Sequence, residues 1–219
     1  MFLRGLGVAQ DYAEAVRLYR LAAAQGHAGA EFNLGNMFRR GLGVAQDDAE
    51  AVRLYCLAAE QGHADAQFNL GNMFAKGQGV AQDYAEAVRL WRLAAEQGHA
   101  AAQFGLGYMF AKGQGVAQDY AEAVRLWRRA AEQGVADAQF SLGCMFHDGQ
   151  GVAQDGAEAA RLWRLAAEQG HADAKSKLGG IFELGQGVAQ DIAEAIRLIC
   201  LAAAHGIENA TAILKQWVS

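Results

Sequence analysis

Proline is missing altogether from the 219 residues, cysteine occurs only three times, and no stretch of apolar residues approaches the length of a membrane span. Without proline no helix is broken by a lost amide, and every reversal of the chain falls to the 27 glycines. A transmembrane helix needs about 18 or more consecutive apolar residues, so membrane insertion is not expected, and no charged-then-apolar leader precedes the first repeated phrase. The expectation is a soluble chain, cytoplasmic as it stands and periplasmic or secreted if an export signal lies upstream. Positive charge is also scarce: 19 Lys and Arg face 24 Asp and Glu, a net charge of -5. No broad basic field is left to neutralise phosphates, which argues against nucleic acid and for a protein or peptide as partner.

What the chain does contain is a repeat. The phrase Val-Ala-Gln-Asp-x-Ala-Glu recurs at Val8, Val44, Val80, Val116, Val152 and Val188, so one unit of 36 residues is copied about six times. Self-similarity at such a period marks a solenoid, in which each unit buries its apolar face only against its neighbours. Residues 1–219 are therefore read as one all-α domain. Met1 to Gly7 match Met37 to Gly43, so residues 1–4 are expected to be the tail of a helix. At the other end, about 207–218, Lys215 stands where other units have Gly, and this stretch reads as a capping helix. The incompletely covered first layer predicts weak end-to-end self-association.

One unit shows how the helices are specified. Asp47 and Glu50 form an Asp-x-x-Glu start signal, in which each side chain can satisfy a free amide of the first turn. Ala51, Leu54 and Ala58 follow at helical spacing, and Gly62 ends the pattern where a left-handed residue is wanted. A second helix runs from about Ala64 to Lys76 and stops at Gly77-Gln78-Gly79. Helices of about 13 to 15 residues are marginal alone in water, so stacking must stabilise them. The period also separates the thiols: Cys56 and Cys200 share one column four units apart, beyond disulfide reach, and Cys144 lies in another, so three free thiols are expected.

Ala66, Leu70-Gly71, Phe74, Gly77-Gln78-Gly79-Val80, Asp83, Ala87, Trp91, Ala94-Ala95 and Gly98, with their equivalents along essentially the whole chain, resemble the Sel-one-like repeat (SLR) family, short-helix relatives of tetratricopeptide repeats. The departures are mild: Phe38, Phe74, Phe110 and Phe146 stand where Tyr is common, and Ala81 where Pro is common. The resemblance implies an α-α superhelix, a right-handed solenoid of two-helix units. It also implies a non-catalytic adaptor whose second helices line a concave groove for an extended peptide or a partner helix.

Comparison of the units with one another separates packing from surface. Leu34, Leu70, Leu106, Leu142 and Leu178, each followed by Gly, are expected to be buried beside a close helix approach. Tyr19, Tyr55, Trp91, Trp127 and Trp163 read as inter-helix filler. The columns that change fall at steps of four, three and four along each second helix, which is one helical face. They supply the expected partner-binding residues: Asn33, Asn36 and Arg40; Asn69, Asn72 and Lys76; Gly105, Tyr108 and Lys112; Ser141, Cys144 and Asp148; and Lys177. The four asparagines make two amide rungs able to bond a peptide backbone of any sequence. Arg40, Lys76 and Lys112 form a positive edge, which Asp148 reverses, so an acidic segment or a C-terminal carboxylate would suit the basic end.

Other chemistry finds little footing. His27, His63, His99 and His171 share a column and lie a repeat apart, too far for ligands about 2 Å from one metal ion, so they are read as turn residues. Cys144 and His147 are spaced as a nucleophile and base on one helix, but no oxyanion site is evident, and Asp148 is expected to point too far round the helix to orient the histidine. Gly-x-Gly-Val does not follow a strand and is not a phosphate cradle. No catalytic residue, metal or cofactor is expected. Two other functions are compatible with the resemblance: β-lactam binding or hydrolysis, as in cysteine-rich relatives, although no unit here carries their pair of cysteines, or a spacer array without a ligand.

Overall fold

The computed structural model describes residues 11–184 and the isolated positions 197 and 200, with side-chain surroundings as far as Gly180. The expected partial helix at 1–4 and capping helix at about 207–218 lie outside the described residues, and so does the end-to-end contact they implied. Among the described residues there are ten helices and no strand: α1 (Tyr12–Ala23), α2 (Ala28–Arg40), α3 (Asp48–Glu60), α4 (Ala64–Lys76), α5 (Tyr84–Glu96), α6 (Ala100–Lys112), α7 (Tyr120–Glu132), α8 (Ala136–Asp148), α9 (Gly156–Glu168) and α10 (Ala172–Leu184).

Each odd-numbered helix starts on an aspartate. Asp47 Oδ1 accepts the Glu50 N–H at 2.9 Å, and Asp11, Asp83, Asp119 and Asp155 repeat the bond at 3.0 Å. The reciprocal half of the expected start signal is absent. The Asp47 N–H donates instead to the Phe38 carbonyl at 3.0 Å, which frees the Glu50 carboxylate to accept two N–H groups of Arg53 at 2.8 and 2.7 Å. This fork holds the Glu50 carboxyl below its usual range. Tying the cap amide to the preceding helix sets the direction in which the chain re-enters the stack.

The described even-numbered helices α2, α4, α6 and α8 end on a left-handed glycine. Gly77 has φ +65°, and its N–H turns back to the last carbonyls of α4. Two residues later, Gly79 also has positive φ, and a Cβ there would overlap the Asp48 carbonyl, so the turn lies directly against the start of α3. Gln82 closes the connection by donating to the Ala75 carbonyl at 2.8 Å. The repeated phrase is therefore a joint: glutamine finishes one helix, and aspartate opens the next.

The chain divides into two compact units, residues 1–109 with 113–117 and residues 110–112 with 118–219. In the first, α1 to α5 each pack on the next, around Ala51, Tyr55, Ala58, Leu70, Met73 and Leu90. In the second, α7 to α10 do the same, with Leu126, Trp127, Leu142, Leu162, Trp163 and Leu178 buried. Burying one such side chain contributes about 1.5 to 3 kcal/mol. The leucine column and Tyr55, Trp91, Trp127 and Trp163 are buried, as expected, and after Leu34, Leu70 and Leu142 the glycine is required. A Cβ on Gly71 would lie 2.6 Å from Trp91 Nε1, whose N–H donates to the Phe68 carbonyl at 3.1 Å. Trp163 donates likewise to Phe140 at 3.1 Å.

A polar ladder runs through this packing. Glu31, Gln67, Gln103 and Gln139 are buried at one column. Gln67 donates to the Ala59 carbonyl at 3.2 Å and accepts from Gln97 of the next unit at 2.8 Å, and Gln139 accepts from Gln169 at 2.8 Å. At the first rung, Gln61 donates to the Glu31 carboxylate at 2.7 Å. A buried amide left unpaired is costly, so the ladder favours one vertical register between neighbouring units.

Candidate functional site: the variable face of the second helices

The four-three-four spacing sets the changing columns on one side of α2, α4, α6, α8 and α10, with unequal exposure. Arg40, Lys76, Tyr108, Lys112, Asp148 and Lys177 are exposed, whereas Asn33, Asn36, Asn69, Asn72, Gly105, Ser141 and Cys144 are half-buried. The charged tips are solvated, as expected; the amides are part of the folded surface.

In the first unit the amides join into a network. Asn33 Nδ2 donates to its own helix at the Gly29 carbonyl, 2.7 Å away. Asn36 Oδ1 accepts the Tyr55 hydroxyl at 2.8 Å and, more weakly, Asn69 Nδ2 at 3.4 Å. Asn36 of α2 and Asn69 of α4 thus meet across successive repeats, while Asn33 bonds within its own helix. Asn72 corresponds to Asn36, but its neighbouring aromatic is Trp91, which donates to a backbone carbonyl, so the motif is not copied there. Gly105 lies 3.6 Å from the Trp91 ring by the Cβ it lacks, an ordinary contact, so nothing at that point demands glycine.

The second unit presents different chemistry on the same columns. Cys144 is half-buried, and burial pushes its thiol up despite the Lys177 ammonium nearby. Lys177 Nζ is 5.9 Å from the centre of the Trp163 ring. Here the expectation for Asp148 is corrected: its carboxylate reaches back along the helix, and Oδ1 is 2.7 Å from His147 Nδ1. A thiol whose pKa is raised by burial is a weaker nucleophile than an ordinary one. All three cysteines are free thiols, as the spacing predicts.

The shared histidine column is structural. Nδ1 of His63, His99 and His171 accepts the N–H three residues on, at 3.3, 3.1 and 3.2 Å, capping α4, α6 and α10. Each ring stacks on a phenylalanine of the preceding unit, with centroids 4.7, 4.7 and 4.6 Å apart. The free edge then meets an aspartate, His99 Nε2 lying 3.1 Å from Asp65 and His171 Nε2 3.3 Å from Asp137. Among the described residues no cluster of three metal-ligating side chains occurs, and no helix is long and apolar enough to cross a membrane.

Three features escaped the sequence reading. One is the buried amide ladder, signalled only by the recurrence of Gln at both ends of each unit. The second is Arg39, whose Nε is buried without a hydrogen-bond partner among the described residues; it is alone in its column, where the next units have Ala75, Ala111 and His147. The third is a cleft between first helices of successive units. In the first unit, Cys56, Leu70, Phe74, Leu90 and the exposed Leu93 bound such a cleft, about 470 Å³ in volume. Residues Arg128, Leu142, Phe146 and Leu165 line its counterpart in the second, about 630 Å³.

Paired helices of nearly constant length, joined by recurring glycine turns and carrying variable residues on one face, define an α-helical repeat protein. The Sel1 repeat model matches at residues 1–27, 28–63, 64–99, 100–135, 136–171 and 172–207, and the chain belongs to the Sel1 repeat family. Its fold is that of solved SLR solenoids. A protective antigen of uropathogenic Escherichia coli strains displaying an SLR fold superposes with a TM-score of 0.92 at 37% identity, over 95% of this chain and 45% of that one. This chain thus spans under half of the antigen's length. A Sel1 repeat protein from Oxalobacter formigenes gives 0.85 at 34% identity, over 93% and 81% of the two chains. An immunity protein from Pseudomonas aeruginosa shares the fold alone, with a TM-score of 0.53 at 21% identity over 90% and 75%. Among curated proteins none matches this chain. Sel1 repeat solenoids are generally non-catalytic scaffolds for protein interaction.

Proposed function

We propose that the chain is a non-catalytic adaptor that holds a protein or peptide segment along the variable face of its second helices, the side expected to be concave. Asn33, Asn36, Asn69 and Asn72 contact the bound backbone, and Arg40 and Lys76 attract an acidic or C-terminal segment. The observation that carries this reading is the bond between Asn69 and Asn36: it joins the variable faces of two successive units into one amide strip, flanked by exposed cations. An extended chain offers alternating carbonyls and N–H groups, and such a strip can pair with both. Tyr108 and Lys112 are the corresponding residues of α6, while Ser141, Cys144, Asp148 and Lys177 present a different surface in the second unit.

The test compares partners retrieved from the native host extract by the wild-type chain and by variants. Asn33→Ala with Asn72→Ala should weaken binding by about 0.5 to 1.5 kcal/mol for each neutral hydrogen bond lost, and Lys76→Glu should mainly slow association and reduce its salt dependence. If these changes leave affinity untouched while Leu57→Ala and Leu93→Ala abolish it, the partner occupies the clefts between the first helices and the proposal is wrong.

A further inference from the structure

In two of the clefts between first helices the protein supplies its own cation. Arg20 of α1 sets its guanidinium 5.8 Å from the centre of the Phe38 ring, and Arg128 of α7 lies over Phe146 at the same distance. Each arginine lines the cleft that its phenylalanine also bounds, and each contact sets a positive charge against the negative face of the ring. Arg92 and Arg164 continue this column, but at position 56 the residue is cysteine. Cys56 lines the cleft bounded by α3, α4 and α5, with half-buried Phe74, Leu90 and the exposed Leu93. Beside Phe74 there is thus a thiol where the sibling clefts have a guanidinium.

The same substitution changes the charge of this cleft. Glu60 lines it four residues after Cys56, as Glu132 stands four residues after Arg128, and residues so spaced are neighbours on a helix. Glu60 therefore adjoins a thiol where its equivalent adjoins an arginine. Arg89, which also lines the cleft, turns to Glu86, with contacts of 2.8 and 2.6 Å. An aromatic face, an apolar wall and the exposed Glu60 carboxylate together suit a guanidinium on an alkyl stem. The planar group can stack on the Phe74 ring and turn its N–H edge to Glu60, while its methylenes cover Leu93. An ammonium is more strongly hydrated and has no plane to stack. The net charge of -5 attracts a basic partner and repels a second copy of this chain.

We propose that the cleft bounded by α3, α4 and α5 receives an arginine side chain of a basic protein partner, seated over Phe74 and against Glu60 as Arg20 and Arg128 are seated in their own clefts. This site goes beyond the adaptor reading. It is built between first helices, uses neither the asparagines nor Lys76, and stands or falls separately from them.

The test titrates the full-length, isotope-labelled chain with acetyl-Ala-Arg-Ala-amide and with its lysine and glutamine counterparts, following the Phe74 ring and Leu93 methyl resonances. The arginine probe should shift both saturably, the lysine probe should bind more weakly, and the glutamine probe should do nothing. Glu60→Gln should weaken arginine binding roughly two- to five-fold, the range of an exposed ion pair, whereas Asn72→Ala should leave it unchanged. Cys56→Arg installs the residue that four other units carry at this column, and should abolish the shifts by filling the seat from within. Arg128→Cys should do the converse and make the Phe146 ring respond to the probe, a gain that keeps the test decisive should Cys56→Arg fold poorly. The proposal is overturned if the arginine probe leaves Phe74 unmoved at tens of millimolar, if lysine binds as tightly as arginine, if folded Cys56→Arg responds like wild type, or if folded Arg128→Cys gains no site. Sedimentation settles the source of the arginine: a wild-type dimer that Cys56→Arg dissociates would assign it to a second copy of this chain and overturn the basic partner.

Discussion

At the scale of single residues, two glycines with similar φ have different reasons to be glycine. Gly62 has φ +84°, and a Cβ there would meet nothing within 4 Å; Gly79 has φ +67°, and its Cβ would overlap the Asp48 backbone. Gly62→Ala should therefore cost only the left-handed conformation, about 1 to 2 kcal/mol. Gly79→Ala adds a clash that only movement of the turn or of α3 can relieve, and should cost at least twice as much. Urea denaturation of the two variants measures the difference; equal losses would mean that the turn is not pressed against α3. The sequence shows that both positions are invariant between units, but not that one is constrained by its own φ and the other by a neighbour about thirty residues away.

At the scale of the helix, capping explains why one column holds histidine. His99 caps α6, stacks on Phe68 and meets Asp65, three contacts from one ring. His27 begins α2 without a side-chain cap bond and is exposed. Loss of a cap costs about 0.5 to 2 kcal/mol and loss of an aromatic pair about 0.5 to 1.5, so His99→Ala should destabilise by roughly 1 to 3 kcal/mol. His27→Ala should fall within about 0.5 kcal/mol of wild type, as for most surface changes. Thermal melts of the two variants check this, and equal shifts would show that the stack and cap contribute nothing. Helix limits were legible because the start and stop residues act within a few positions of themselves: the expected second helix from Ala64 to Lys76 is the one observed. The partner of the Glu50 carboxylate was not, because Arg53 and the Asp47 amide compete for it, and the Phe38 carbonyl that settles the competition belongs to another helix.

At the scale of the whole molecule, stability is shared between neighbours rather than pooled in one core. Leu54 is 1% exposed, within the first unit. Leu54→Ala should cost about 2 to 5 kcal/mol, and the loss should be local. In hydrogen exchange, amides of α2 to α4 should lose more protection than those of α8 to α10. A uniform loss over all ten described helices would mean that the repeats unfold as one indivisible body.

The sequence alone determined the repeat, the helix pairs, the buried leucine and aromatic columns and the face that varies, because each depends on spacing within a 36-residue unit. It also placed Asn33, Asn36, Asn69 and Asn72 on one helical face. Only the tertiary structure decided what those amides do. Asn36 is bound by a tyrosine 19 positions away and by an asparagine 33 positions away, distances that the one-dimensional pattern treats as unrelated. The same holds for the glutamine ladder, whose partners are 30 residues apart. Periodicity identifies what every unit shares; the contacts that distinguish one unit from the next exist only once the units are stacked.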